Sequence, residues 1–149
     1  MQLSEALPAL TAKLPPEAHK IRKLPGGGQW VYIPWRNLLA YLDQVCPEDW
    51  SIAFSDPIFL AHGEKQFCCI RCTLTICGVS RQAPGSAELE LISSSGKDMA
   101  QGDPIERATA DAIRSACELF GIGSYLHQQK DSQWQQRLIT WVRKGMQAS

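Results

Sequence analysis

Cys68, Cys69, Cys72 and Cys77 crowd into one stretch, and Cys69 and Cys72 form a CxxC pair. That spacing suits half a zinc site or a redox pair. The surrounding pattern opposes both. Cys68, Ile70, Cys72, Leu74 and Ile76 alternate with Cys69, Arg71, Thr73, Thr75 and Cys77, a period of two that specifies a strand. On a strand Cys69 and Cys72 point to opposite faces and cannot share a metal without a bulge. No second CxxC or paired His follows. These four, with Cys46 and Cys117, are expected to be free core thiols packed as small hydrophobes. No metal is expected.

Other chemistry is equally hard to assemble. His19, His62 and His127 lie outside any HExxH pattern, and the acidic residues are scattered over caps and solvent faces. Gly26-Gly27-Gly28 invites a phosphate loop, but a Walker loop needs GxxxxGK[ST], and here Gln29 and Trp30 follow. The glycines read either as a plain turn or as a turn bringing Gly27 and Gly28 N–H groups near a nucleic-acid backbone. No catalytic residue is assigned, no cofactor is expected, and the chain reads as a non-enzyme.

Charge is more informative. The 149 residues carry 15 Lys+Arg and 15 Asp+Glu, a net charge of +0 that at first opposes a nucleic-acid partner. The distribution reverses that impression. Residues 19–36 hold Lys20, Arg22, Lys23 and Arg36 and no acid, a block of +4. Residues 37–64 hold Asp43, Glu48, Asp49, Asp56 and Glu64 and no Lys or Arg, a block of −5. Trp30, Tyr32 and Trp35 are interleaved with the basic block. Cations beside aromatics suit a single-stranded nucleic acid, with cations on phosphates and rings under bases. The alternative is a solvated helix end followed by core aromatics. Arg71 shares a strand face with Thr73 and Thr75, in solvent or near a groove.

The elements that must position these residues follow from pattern and punctuation. Residues 1–24 read as helical, broken by Pro8 and by Pro15-Pro16, with Lys20, Arg22 and Lys23 near the end of the second piece. Pro25 to Gly28 makes a turn, and Trp30–Ile33 is a short β run. Pro34 opens a helix with Leu38, Leu39, Leu42 and Val45, and Pro47 stops it. Strands are expected over Trp50–Phe54, Phe67–Ile76 and Ala87–Ile92, with Gly63 and Pro84-Gly85 in the connections. Asp103-Pro104-Ile105-Glu106 starts a long helix that Gly121 ends. Trp134, Leu138, Trp141 and Val142 mark a C-terminal amphipathic helix over about 132–146. The expected fold is α+β: an antiparallel sheet of about four strands packed on a long helix, with N-terminal helices, in a single domain over 1–149. No apolar run is long enough for a membrane span and no signal peptide is visible, so a cytoplasmic location is expected, nucleoid-associated if the source is bacterial or phage.

Two stretches carry a resemblance. Lys23-Leu24-Pro25-Gly26-Gly27-Gly28-Gln29-Trp30-Val31-Tyr32-Ile33, preceded by Pro16-Glu17, resembles the N-terminal signature of the Rad fifty-two family of single-strand annealing proteins. Ala110-Asp111-Ala112-Ile113-Arg114-Ser115-Ala116-Cys117-Glu118-Leu119-Phe120-Gly121, continued by Ile122 to Leu126, is similar to that family's long helix. The likeness covers about 16–126. It implies ATP-independent annealing of complementary strands in homologous recombination and double-strand break repair, by a ring or filament of copies of the chain binding single-stranded DNA. It also allows a single-strand-binding protein or a recombinase as partners. Lys23, Arg114 and, in a looser alignment, Lys97 match DNA-contacting positions. Ser115 and Glu118 stand where the family has further basic residues, which implies a less basic groove. The alternative function is a nucleic-acid-binding accessory module that works through protein partners without annealing. The expected DNA-contacting set is Lys20, Arg22, Lys23, Gly27, Gly28, Tyr32, Arg36, Arg71, Lys97 and Arg114.

Overall fold

The computed structural model describes residues 1–90 and 103–148. The chain order is α1 (Leu3–Leu10), a 3-10 turn (Pro16–Ala18), β1 (Lys20–Lys23), β2 (Gln29–Tyr32), α2 (Trp35–Val45), β3 (Trp50–Phe54), β4 (Ile58–His62), β5 (Lys65–Ile76), β6 (Val79–Glu88), α3 (Pro104–Leu119), a second 3-10 segment (Ser124–Lys130) and α4 (Ser132–Ala148). This is the expected α+β class. Among the described residues no helix is long and apolar enough to cross a membrane.

The period-two stretch sets the layering. In β5, Cys68, Ile70, Cys72, Leu74 and Ile76 are buried, while Arg71 is exposed. β6 pairs along one side of β5; on the other side β3 pairs its second half and β4 its first half, all antiparallel. α3 covers the buried face with Ala108, Ala112, Ile113, Ala116 and Cys117. The small residues let the layers approach closely. A Cβ at Gly85 of β6 would lie 2.2 Å from the Ala112 nitrogen and 2.4 Å from the Ala108 oxygen. α3 starts as its cap sequence dictates, with Asp103 Oδ1 accepting from the Glu106 N–H at 2.7 Å. The cysteines are free thiols; burial pushes Cys117 up to about 12 and Cys72 up to about 11.

Several expectations need correction. Lys20, Arg22 and Lys23 lie on a strand, not at a helix end, because β1 pairs with β2 around the glycine turn. Helix α1 runs through Pro8 to Leu10, whose side chain is fully buried in the core. Pro84-Gly85 lies inside β6; the turn before β6 is Cys77-Gly78, both at positive φ. Such a pair matches the twist of a tight hairpin. Pro84 is tolerated because β6 is an edge strand among the described residues. Strand β4 is additional. The expected strand over Ala87–Ile92 is not a separate one: Ala87 and Glu88 are the end of β6, Leu89 and Glu90 lie past it, and 91 and 92 lie outside the described residues.

The β1–β2 hairpin is a separate two-stranded sheet. Such a ribbon is marginal alone. It is held by a second apolar cluster in which Val31 is buried with Leu138, Ile139 and Val142 of α4, and Ile21 packs against them.

Candidate nucleic-acid interface

The hairpin register decides what its two faces carry. Lys20 pairs with Tyr32, Ile21 with Val31, Arg22 with Trp30 and Lys23 with Gln29. Cross-strand partners share a face and successive pairs alternate. Ile21 and Val31 therefore face α4, while Lys20, Arg22, Trp30 and Tyr32 share the opposite face. The Arg22 guanidinium lies over the Tyr32 ring, 5.8 Å from its centroid. Lys23 belongs to the α4-side set but sits at the open, turn end of the hairpin, where it is exposed.

The turn itself is built on left-handed backbone, with φ of 95° at Gly26 and 97° at Gly27. An L side chain rarely adopts that geometry. Leu24 N–H donates to the Gly28 carbonyl at 2.7 Å, and Gly27 N–H donates to the Leu24 carbonyl at 3.1 Å. The Gly27 amide is thus engaged inside the turn. Gly27 and Gly28 shape the tip.

A buried side chain fixes the hairpin from below. Gln129 Oε1 accepts from Val31 N–H and its Nε2 donates to the Val31 carbonyl, both at 2.8 Å. It acts as a one-residue strand partner along the β2 edge. Gln135 Nε2 donates to the Gln29 carbonyl at 2.6 Å and to Gln129 Oε1 at 3.1 Å. Beside this, Tyr125 accepts from Leu14 N–H at 3.2 Å and bonds His19 Nε2 at 2.5 Å. His19 Nδ1 faces only the carbonyls of Pro15 and Pro16, at 3.1 and 3.2 Å. Nδ1 therefore carries the proton, and Nε2 accepts from Tyr125. Burial lowers His19 below 6.5 and pushes Tyr125 up to about 12. Neither Gln129 nor His19 carried a sequence signal, since a Gln in a polar run and a lone His read as surface.

The other candidates are spread over the fold. Arg36 stands at the start of α2, its guanidinium 4.3 Å from the Trp35 ring centroid. The N-terminal end of a helix repels a cation, so local helix stability does not account for this placement. Asp43, seven residues on, is near the opposite end of α2, about 10 Å along the axis at 1.5 Å per residue. It accepts from Trp50 Nε1 at 2.8 Å. The acidic block thus begins away from the hairpin. Arg71 projects from the sheet face opposite α3, and Arg114 is half-buried on α3 itself, so the two do not share a surface within the protomer. Both carboxylates near Arg114 in sequence are engaged elsewhere: Asp111 accepts from Ser86 N–H at 3.0 Å, and Glu118 pairs with His127 at 3.2 Å. Lys97 lies outside the described residues.

The ion pairs among the described residues join the N-terminal amine to Asp49, Lys65 to Glu88 and His127 to Glu118. None uses Lys20, Arg22, Lys23, Arg36, Arg71 or Arg114. No group of three or more His, Cys, Asp or Glu side chains among those residues is arranged to hold a metal.

The model of the Rad52/22 family of double-strand break repair proteins matches residues 2–140. The chain belongs to the Rad52/22 family. Curated relatives include a DNA repair RAD52-like protein 1, mitochondrial, of Arabidopsis thaliana, 28% identical over 127 residues, covering 84% of this chain and 67% of that protein. The single-stranded DNA-binding protein DdrA of Deinococcus deserti is 29% identical over 137 residues, covering 85% of this chain and 59% of DdrA. This Rad52/22 chain therefore spans about three-fifths to two-thirds of the relatives it matches. The family match also spans the hairpin, α2, the sheet and α3, the elements that carry nine of the ten expected contacts.

Proposed function

We propose that this Rad52/22 family chain binds single-stranded DNA on the open face of the β1–β2 hairpin and anneals complementary strands without ATP, as an oligomer acting in homologous recombination and double-strand break repair. The observation that carries the reading is the juxtaposition of Lys20, Arg22 and Tyr32 on one face, with no carboxylate paired to either cation among the described residues. A cation without a protein counter-ion is free to neutralise phosphate, and an adjacent ring offers a platform to a base. Binding to phosphate rather than to base edges leaves the edges open to test pairing. The printed description of DdrA as a single-stranded DNA-binding protein supports the same ligand. The chain works as a non-enzyme, through electrostatics and geometry.

The test is an annealing assay with complementary oligonucleotides, without nucleotide or metal. Pairing faster than the spontaneous rate, with larger species on adding single-stranded DNA, is the expected outcome. Binding without acceleration would reduce the chain to an accessory module acting through protein partners.

A further inference from the structure

Helix α4 carries a second cationic and aromatic surface. It contains Arg137, Arg143 and Lys144 and no Asp or Glu. Its buried side, Leu138, Ile139 and Val142, holds the hairpin. Trp134, Arg137, Trp141 and Lys144 are spaced three, four and three residues apart and so form a stripe along one flank. Arg137 and Lys144 are exposed, and both tryptophans are half-buried. Lys13 reaches over from the segment after α1, its Nζ 5.4 Å from the Trp141 ring centroid and 5.9 Å from that of Trp134. Gln136, Arg137, Thr140, Trp141 and Lys144 line a shallow groove of about 290 Å³. None of Lys13, Arg137 and Lys144 enters an ion pair with a described residue.

We propose that this α4 stripe is a second contact surface for the phosphodiester backbone of single-stranded nucleic acid, separate from the hairpin face. The proposal rests on the hairpin reading for its ligand and extends it to a helix that reading does not use. The physical grounds are its own. Three unpaired cations flank two indole rings, the combination that tracks a single strand, and an apolar partner would have to desolvate all three charges. The stripe also sits on the element that braces the hairpin, from the side opposite the hairpin's cationic face.

The test measures binding of an oligothymidine of about 16 nucleotides, in the range of known single-strand site sizes, against salt concentration. The proteins are the unaltered chain, the double variant Arg137→Gln/Lys144→Gln, and Arg143→Gln. Arg143 lies two residues past Trp141, on the other side of the helix, and is exposed. All substituted side chains are exposed, and circular dichroism checks that α4 is retained. For single strands each lost phosphate contact flattens log affinity against log salt by ~0.7. The stripe variant is expected to flatten the slope by ~1.4 and to bind about tenfold more weakly at low salt, while Arg143→Gln barely changes either. An unchanged slope in the stripe variant overturns the inference but leaves the hairpin reading standing. Equal losses per charge at Arg143 and on the stripe overturn it too, as a general field effect. Capture of a Glu-rich peptide with unaltered oligothymidine binding assigns the stripe to an acidic protein instead. If the unaltered chain binds no single-stranded DNA, both the inference and the hairpin reading fail.

Discussion

Arg22 crosses the β1–β2 hairpin diagonally to place its guanidinium 5.8 Å from the Tyr32 ring centroid. A cation over a ring at an exposed site contributes about 0.5–1 kcal/mol, enough to bias a long side chain without neutralising it. The charge stays available, and the Tyr32 ring is half-buried beside it. Tyr32→Phe retains the ring and is expected to bind single-stranded DNA within about twofold of the unaltered chain. Tyr32→Ala loses a stacking contribution of about 1–3 kcal/mol, or about 5- to 150-fold in affinity. Fluorescence anisotropy with a labelled oligonucleotide reads both; equal binding by the two variants would remove Tyr32 from the interface.

Gln129 is expected to act on binding through the hairpin it holds. Gln129→Leu leaves the Val31 N–H and carbonyl without partners in a buried setting, at a cost of about 1–3 kcal/mol each. Faster amide exchange at Val31 and weaker DNA binding should appear together, with Lys20 and Arg22 still present. Weaker binding with unchanged exchange at Val31 would mean that Gln129 does not act by bracing the strand.

Gly85 has a steric role. Alanine there meets the α3 backbone at 2.2 Å and 2.4 Å, where nothing flexible can yield. The loss of stability is expected at or above the top of the usual overpacking range of about 1–3 kcal/mol. Gly28→Ala is the contrast, since its nearest neighbour is Leu24 Cδ1 at 3.6 Å and its φ is not positive. A change below about 1 kcal/mol is expected there. Urea unfolding of the two variants reads the difference.

The His19–Tyr125 pair makes stability depend on pH. Burial lowers the His19 pKa, so the unfolded chain takes up the proton near 6.5 while the folded chain resists it. The contribution is therefore fully present above about pH 6.5 and is lost as pH falls through the folded-state value. The urea midpoint should decline between about pH 7 and pH 5, above the ordinary carboxylate range of about 4. His19→Gln should show a flatter profile over that interval. Identical profiles would assign the decline to other groups.

The parts of the fold legible in the sequence were those with strong local signals. The alternation of Cys68 to Ile76 gave the strand and its buried face, and the Asp103 cap gave the start of α3, because both signals lie within a few residues. Lys20–Lys23 misled because a prolyl start followed by cations also fits a helix end; its strand exists only through pairing with Gln29–Tyr32. Ile58–His62 lacks alternation because all five residues are exposed, and only pairing with β5 makes it a strand. Pro84-Gly85 read as a turn, whereas the glycine serves the close approach of α3. Of the site, the basic and aromatic composition was legible; the assignment of Lys20, Arg22 and Tyr32 to one face required the register.

Cations on the open hairpin face are expected to neutralise DNA phosphates. The most direct measurement is the salt dependence of single-stranded DNA binding by the unaltered chain and by Lys20→Ala/Arg22→Ala. With about four phosphates neutralised per protomer, log affinity should fall with log salt at a slope near −3, flattened by ~1.4 in the double variant with unfolding unchanged. An equal slope in the two proteins, or an affinity independent of salt, would show that Lys20 and Arg22 do not hold DNA phosphates.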